Sequence, residues 1–188
     1  VDRHNDLTEL SRKAFENHVI TKRAEGRWLI QRLYADGVPR SDYAAEIVSL
    51  WWGALLVGGD INHVIFARYS GSNEAKVAWI GGDEEVTSYI LEKATIGIGD
   101  SLLVWEKEEA RNTLLAYCVQ RKKDDEEYAE LENSFIDLLD NFPDTWKEAS
   151  EALWEIDADA EVELRVPDSR IYFAHAAVRR LHQLLEEE

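Results

Sequence analysis

The chain has 188 residues, 45% of them apolar, with seven Trp, seven Tyr and five Phe, enough to bury the core of one ordinary domain without covalent staples. Its single cysteine, Cys118, excludes an internal disulfide framework and a cysteine-rich metal site. The 38 acids against 21 bases give a net charge of -17, which opposes nucleic acid and anionic membrane and attracts basic protein surfaces.

That charge is uneven. Residues 1–40 hold eight bases against six acids, a net of +2, so the remainder carries -19. Residues 124–163 alone hold sixteen acids and one base, Lys147, a net of -15. Acidity that served only solubility would be spread more evenly. The longest apolar run, near residues 50–57, falls short of the roughly 20 residues that cross a bilayer, and the opening VDRHNDLTEL has no export-signal pattern. With the lone thiol, these features lead to the expectation of a cytoplasmic protein without membrane contact.

Taken in order, residues 6–35 read as helix, with Asp6 and Glu9 at capping-box spacing, an apolar stripe through Leu7, Leu10, Ala14, Val19, Trp28, Leu29 and Leu33, and Gly26 able to divide it. After the turn at residues 36–39, Ser41 or Asp42 caps a second helix through Ala44, Ile47, Val48, Leu50, Trp51, Ala54 and Leu55. Residues 61–69 and 75–80 are rich in β-branched and aromatic side chains, and the link Ser70-Gly71-Ser72-Asn73-Glu74 predicts a hairpin. A short helix follows over 84–93, with Val86, Ile90 and Leu91 inward.

Residues 101–105 and 113–121 fit either one long helix or a second hairpin. From Glu106 to Thr113 only Ala110 is apolar, which favours the hairpin turning near residues 110–112. The acidic stretch then reads as two amphipathic helices. Tyr128, Leu131, Phe135, Leu138 and Phe142 mark the inner side of the first, over 124–141. Pro143 ends it, and Thr145 with Glu148 caps the second, whose inner side holds Trp146, Ala149, Leu153, Trp154 and Ile156. Residues 161–166 alternate as a short strand, and Asp168 or Ser169 caps a last helix with Ala174, Ala177, Val178, Leu181 and Leu185 inside. The order ααββαββααβα predicts one α+β domain over residues 1–188: an antiparallel sheet built from two hairpins plus a short C-terminal strand, covered by several helices.

No motif specifies a reaction. The pairs Gly58-Gly59 and Gly81-Gly82 and the segment Gly97-Ile98-Gly99-Asp100 lack phosphate-loop spacing, and no serine sits in a nucleophile elbow. His4, His18, His63, His175 and His182 are scattered without metal-ligand spacing, so neither a metal nor another cofactor is expected; His63, on a central strand, is the one that would need a partner if buried. Cys118, in the apolar context LLAYCVQ, reads as an inert core residue.

The acidic helices are therefore the candidate site. Glu126, Glu130, Asp137 and Asp140 on the first, with Glu148, Glu151 and Glu155 on the second, would face away from the apolar stripes and receive a basic protein partner. Most of the seven indoles are expected in the core, with one or two exposed as anchors. The expected function is a non-enzymatic acidic protein that inhibits or escorts a basic protein, of inhibitor, immunity or nucleic-acid-mimic type, and that does not itself bind nucleic acid. The alternatives are an acidic secretion-type chaperone and a small enzyme whose site gathers dispersed residues such as His63 and Cys118.

Overall fold

Buried side chains fall two apart at Trp28 and Ile30, at Ala45 and Ile47, and at Leu55 and Val57, which is the period of a strand with one face inward. The computed structural model describes residues 3–40, 42, 44–60, 63–67, 69–96, 103–124, 128–160 and 162–188. Ser41, Ile61, residues 97–102, Glu126 and Glu161, on which some of the expectations above rest, lie outside the described residues. The chain divides into two compact units, one formed by residues 1–102 with 168–188 and the other by residues 103–167.

In the first unit, helix α1 (Arg3–Phe15) leads into strands β1 (Val19–Ala24), β2 (Arg27–Gln31), β3 (Ala45–Leu50), β4 (Ala54–Gly59) and β5 (Val64–Ala67). Helices α2 (Asn73–Gly81) and α3 (Ser88–Lys93) precede strand β6 (Ala94–Ile96), and the unit is completed by the last helix of the chain. The six strands form one antiparallel sheet in sequence order, β1-β2-β3-β4-β5-β6. Register aligns Trp28 with Ile47, Ile47 with Val57 and Val57 with Val64, a row of core side chains running across four strands. Phe15, Val77, Ile80, Tyr172, Ala177, Val178 and Leu181 from the helices close over this face. Each large side chain buried there stabilises the unit by about 1.5–3 kcal/mol.

In the second unit, β7 (Leu103–Val104) is followed by helices α4 (Lys107–Asp124), α5 (Tyr128–Asp140) and α6 (Trp146–Ile156) and by β8 (Val166–Pro167), which pairs antiparallel with β7. Its core joins Ala110, Leu114 and Cys118 of α4 to Tyr128, Phe135 and Leu138 of α5 and Ala149 and Leu153 of α6. Tyr128 stacks on Phe135 at 5.6 Å and Trp105 on Phe142 at 5.9 Å. The chain's last helix, α7 (Ser169–Glu186), belongs to the first unit; Asp168 caps it by accepting from the Arg170 amide at 2.8 Å.

The α+β class is as expected, with an antiparallel sheet under helices, but several elements differ in kind. The helix expected over 6–35 stops at Phe15, and Gly26 is the second residue of a two-residue hairpin turn, with φ of 65° and Ala24 paired to Arg27. The helix expected through Ala44 to Leu55 is the β3-β4 hairpin, whose turn ends in Gly53 at φ of 90°. Consecutive apolar side chains hide the strand period in β2 to β4, as at Trp28-Leu29-Ile30 and Ala54-Leu55-Leu56-Val57, whereas β1 has no buried face to mark it. Of the hairpin expected at 61–80, β5 is a strand, but the second arm is helix α2. Ser72 caps it by accepting from the Ala75 amide at 3.1 Å, and Lys76, Val77, Ile80 and Gly81 are buried at helical spacing.

Among the described residues, the expected hairpin over 101–121 is replaced by α4, with only Leu103–Val104 remaining as strand. Ala110, Leu114 and Cys118 are four apart, so this helix buries a stripe one residue wide, and a single alanine is all the core requires across the polar gap. The two acidic helices, the Thr145 cap and the final helix lie where the sequence places them, although α4 rather than α5 holds Asp124. The short helix begins at Ser88 instead of 84, capped by Thr87, and the short C-terminal strand is confined to Val166–Pro167.

Candidate functional site

Helices α5 and α6 bury Phe135 and Leu138, and Ala149 and Leu153, against the core of the second unit, which turns their remaining faces outward. On α6 the start is fixed by Thr145, whose Oγ1 accepts from the Glu148 amide at 3.3 Å and donates to Glu148 Oε2 at 2.8 Å. On α5 the last carbonyls are met from outside the helix: the Arg111 Nε donates to Leu139 O at 2.9 Å. Orientation of the acidic faces is thus set by packing and caps.

Glu130, Asp137, Asp140, Glu148, Glu151 and Glu155 are all exposed, and Glu126 lies outside the described residues. They are not equivalent. Glu148 is engaged in the cap, and Glu151 lies 3.8 Å from Lys147 in the same helix. Nearby acids are also matched: Glu132 with Lys122, Asp144 with Lys107 at 2.6 Å, and Glu163 with Arg165 at 2.9 Å. The Lys107 ammonium holds the Asp144 carboxyl below the usual carboxylate range, as the Arg165 guanidinium does for Glu163. Glu130, Asp137, Asp140 and Glu155 form no ion pair among the described residues. Glu130 and Asp137, two turns apart, lie on one line of α5, and Asp140 is three residues further along.

Exposed apolar side chains accompany these carboxylates. Trp154, between Glu151 and Glu155, is 68% exposed and Ile136, beside Asp137, is 47% exposed. Trp146 stands exposed with the Arg165 guanidinium over its ring at 4.4 Å. The expectation that most indoles lie in the core does not hold: Trp28 is the one fully buried, and Trp51, Trp52, Trp146 and Trp154 are exposed. Amphipathic spacing located Trp146 and Trp154 on the inner side of α6. In the structure Ala149 and Leu153 fill that side, and both indoles are exposed.

A buried polar cluster in the same unit was not legible in the sequence. Asp157, just past α6, accepts from the Tyr117 hydroxyl at 2.9 Å and lies 3.2 Å from the Arg121 guanidinium. Burial, then the bond to Asp157, pushes the Tyr117 hydroxyl up to about 12. Its signal would have been Tyr117 and Arg121 at i and i+4, masked by reading that segment as a strand.

Cys118 sits buried on α4, where burial pushes its thiol up, away from the thiolate a nucleophile needs. His63 is exposed and belongs to the first unit, so neither unit gathers His63 with Cys118. The buried imidazoles are instead His18 and His175; burial, with Arg179 nearby, brings His175 down to about 4. Among the described residues no group of three or more His, Cys, Asp or Glu is placed to hold a metal ion, and no helix is long and apolar enough to cross a membrane. Compared with known proteins, the chain matches no family model, no curated protein and no solved structure.

Proposed function

We propose that the chain is an acidic protein-binding protein whose α5 and α6 faces receive a basic protein surface, of the kind that otherwise holds nucleic acid. The observation that carries this reading is the set of exposed carboxylates of Glu130, Asp137, Asp140 and Glu155, without ion pairs among the described residues, on two helices of one unit beside the exposed Trp154 and Ile136. Like charges held together destabilise the fold that carries them unless an opposite surface covers them. Carboxylates of this kind speed association, and an indole gives the complex its lifetime. Inhibition or escort of the basic partner follows from covering its cationic surface, with no reaction needed. The lone buried thiol is what a reducing, cytoplasmic setting favours.

The test is affinity capture from the source cell on the immobilised chain, washed at about 50 mM and then about 500 mM salt, conditions that separate electrostatic from apolar retention. A basic protein should be retained at low salt and released at high salt. The quadruple variant Glu130→Lys, Asp137→Lys, Asp140→Lys, Glu155→Lys should lose affinity by about 100-fold or more with an unchanged circular dichroism spectrum. A variant that retains the partner like wild type would reduce the acidic faces to solubilising surface.

A further inference from the structure

The turn between β3 and β4 presents two adjacent indoles to solvent, Trp51 at 93% and Trp52 at 50% exposure. Behind them lies a cleft of about 470 Å³ lined by Trp51, Trp52, Tyr69, Ser70, Gly71 and Lys76. Tyr69 is held by stacking on Trp79, with ring centroids 4.9 Å apart.

Lys76 gives this cleft its chemistry. It is only 5% exposed, and its Nζ donates to Ser49 Oγ and to Leu50 O, each at 3.0 Å. Both acceptors are neutral, and no carboxylate among the described residues pairs with it. An ammonium has three protons, so one remains for a ligand, and a cation taken out of water needs a counter-charge that the described residues do not supply. Ser70 and Gly71, which also line the cleft, lie just before Ser72, the N-cap of α2, and Lys76 itself stands on that helix. Glu74, the acid in the first turn of α2, is exposed and does not line the cleft.

We infer that this cleft binds a small anion carried on a flat ring, an aromatic carboxylate or phosphate. The anionic group lies against Lys76 and the ring against Trp51 and Trp52. The volume falls within the range of small-molecule sites, roughly 300–1,000 Å³, and apolar walls with a few convergent polar groups are their usual lining. This reading is independent of the acidic helices.

Isothermal titration of the full chain with phenyl phosphate and with benzoate tests it, with benzyl alcohol as the uncharged control and benzylamine as the cationic one. At least one anion should bind saturably, with both controls weaker by about 10-fold or more, and the tighter anion identifies the headgroup. Lys76→Met, which keeps the apolar stem, should weaken the anion by about 10-fold or more, and Trp51→Ala with Trp52→Ala by about 5-fold. Failure of both anions to saturate, equal binding of benzyl alcohol, or a Lys76→Met chain that binds like wild type would overturn the proposal. Should Lys76→Met not fold, the double tryptophan variant, altered only at exposed side chains, decides: unchanged affinity overturns it.

Discussion

The two units carry nineteen acids each but differ in everything that surrounds them. The sheet unit sets fourteen bases beside its acids, for a net of -5, whereas the shorter helical unit has seven, for a net of -12. Several bases of the sheet unit are tied to backbone carbonyls. Arg32 donates to Lys13 O and Ala14 O at the end of α1, Arg180 to His18 O at 3.0 Å, and Arg179 to Asp83 O at 3.1 Å. In the helical unit the acids instead project from the outer sides of α5 and α6. The difference teaches that charge here follows the number of bases. Guanidinium groups satisfy helix-end carbonyls in both units, as Arg111 does for Leu139 O in the helical one, but that unit has half as many bases, so its outer helix faces keep the larger net negative charge.

The largest effect that would probe this division is in the cores. Trp28→Ala should cost about 3–5 kcal/mol in urea unfolding, and Phe135→Ala a similar amount. Amide exchange should show the first lowering protection in Arg27–Gln31 and Ala45–Leu50, and the second in Lys107–Asp124 and Tyr128–Asp140. Equal loss across both sets from either substitution would break the division.

An intermediate effect separates the units by pH. His175 of the sheet unit has its basicity depressed to about 4, so its neutral burial favours the fold above the ordinary value near 6.5. That contribution is lost as pH falls from about 6.5 through about 4, because the unfolded chain takes up the proton first. Tyr117 and Tyr128 of the helical unit are both pushed up to about 12, chiefly by burial. Their contribution is complete below about 10 and is lost as pH rises through about 12, since the unfolded phenols ionise first. Segment-resolved exchange should therefore find the sheet unit loosening on the acid side and the helical unit on the alkaline side. Tyr117→Phe with Tyr128→Phe should flatten the alkaline limb; an unchanged limb would remove these phenols from the account.

The smallest effect is at the start of α6, where Thr145→Ala removes the cap and should cost about 1 kcal/mol in urea unfolding. A cost near zero would mean that packing of Ala149 and Leu153 alone sets the position of this acidic face.

How much of this could be read from the sequence depended on how much polar contrast each segment carries. The acidic helices were legible because charge marks their outer faces and Thr145 and Pro143 punctuate them; α7 was legible through Asp168. The strands β2 to β4 were not, since Trp28, Leu29 and Ile30, or Ile47, Val48 and Leu50, place apolar side chains on both faces of the sheet and erase alternation, and β1, with Thr21, Lys22 and Arg23, buries no side chain fully. Helix α4 failed for the opposite reason: its buried stripe is so narrow that polar residues filled the intervening turns. Of the candidate site, the exposed carboxylates were foreseen, but the difference between matched and unmatched ones was not. Among the candidates that difference rests on Thr145, which engages Glu148, and Lys147, which lies 3.8 Å from Glu151, while Lys122, Lys107 and Arg165 match the neighbouring acids Glu132, Asp144 and Glu163. The cleft at Lys76 was hidden because α2 was read as a strand.

Helix α7 lies at the far end of the chain yet supplies Ile171, Tyr172, Ala177, Val178 and Leu181 to the core over strands β2 to β5. Ribosomal synthesis therefore delivers every strand of the sheet, and then the whole of the helical unit, before the helix that covers the sheet emerges. Hairpins β1-β2 and β3-β4 can close locally as they appear. Phe15, Val77 and Ile80 of α1 and α2 can cover part of their inner face early, but its contacts with α7 must wait through the translation of about 65 further residues, some seconds at cellular elongation rates. During that interval the nascent chain is most open to a chaperone, and emergence of α7, not growth of the sheet, is the event that completes the core.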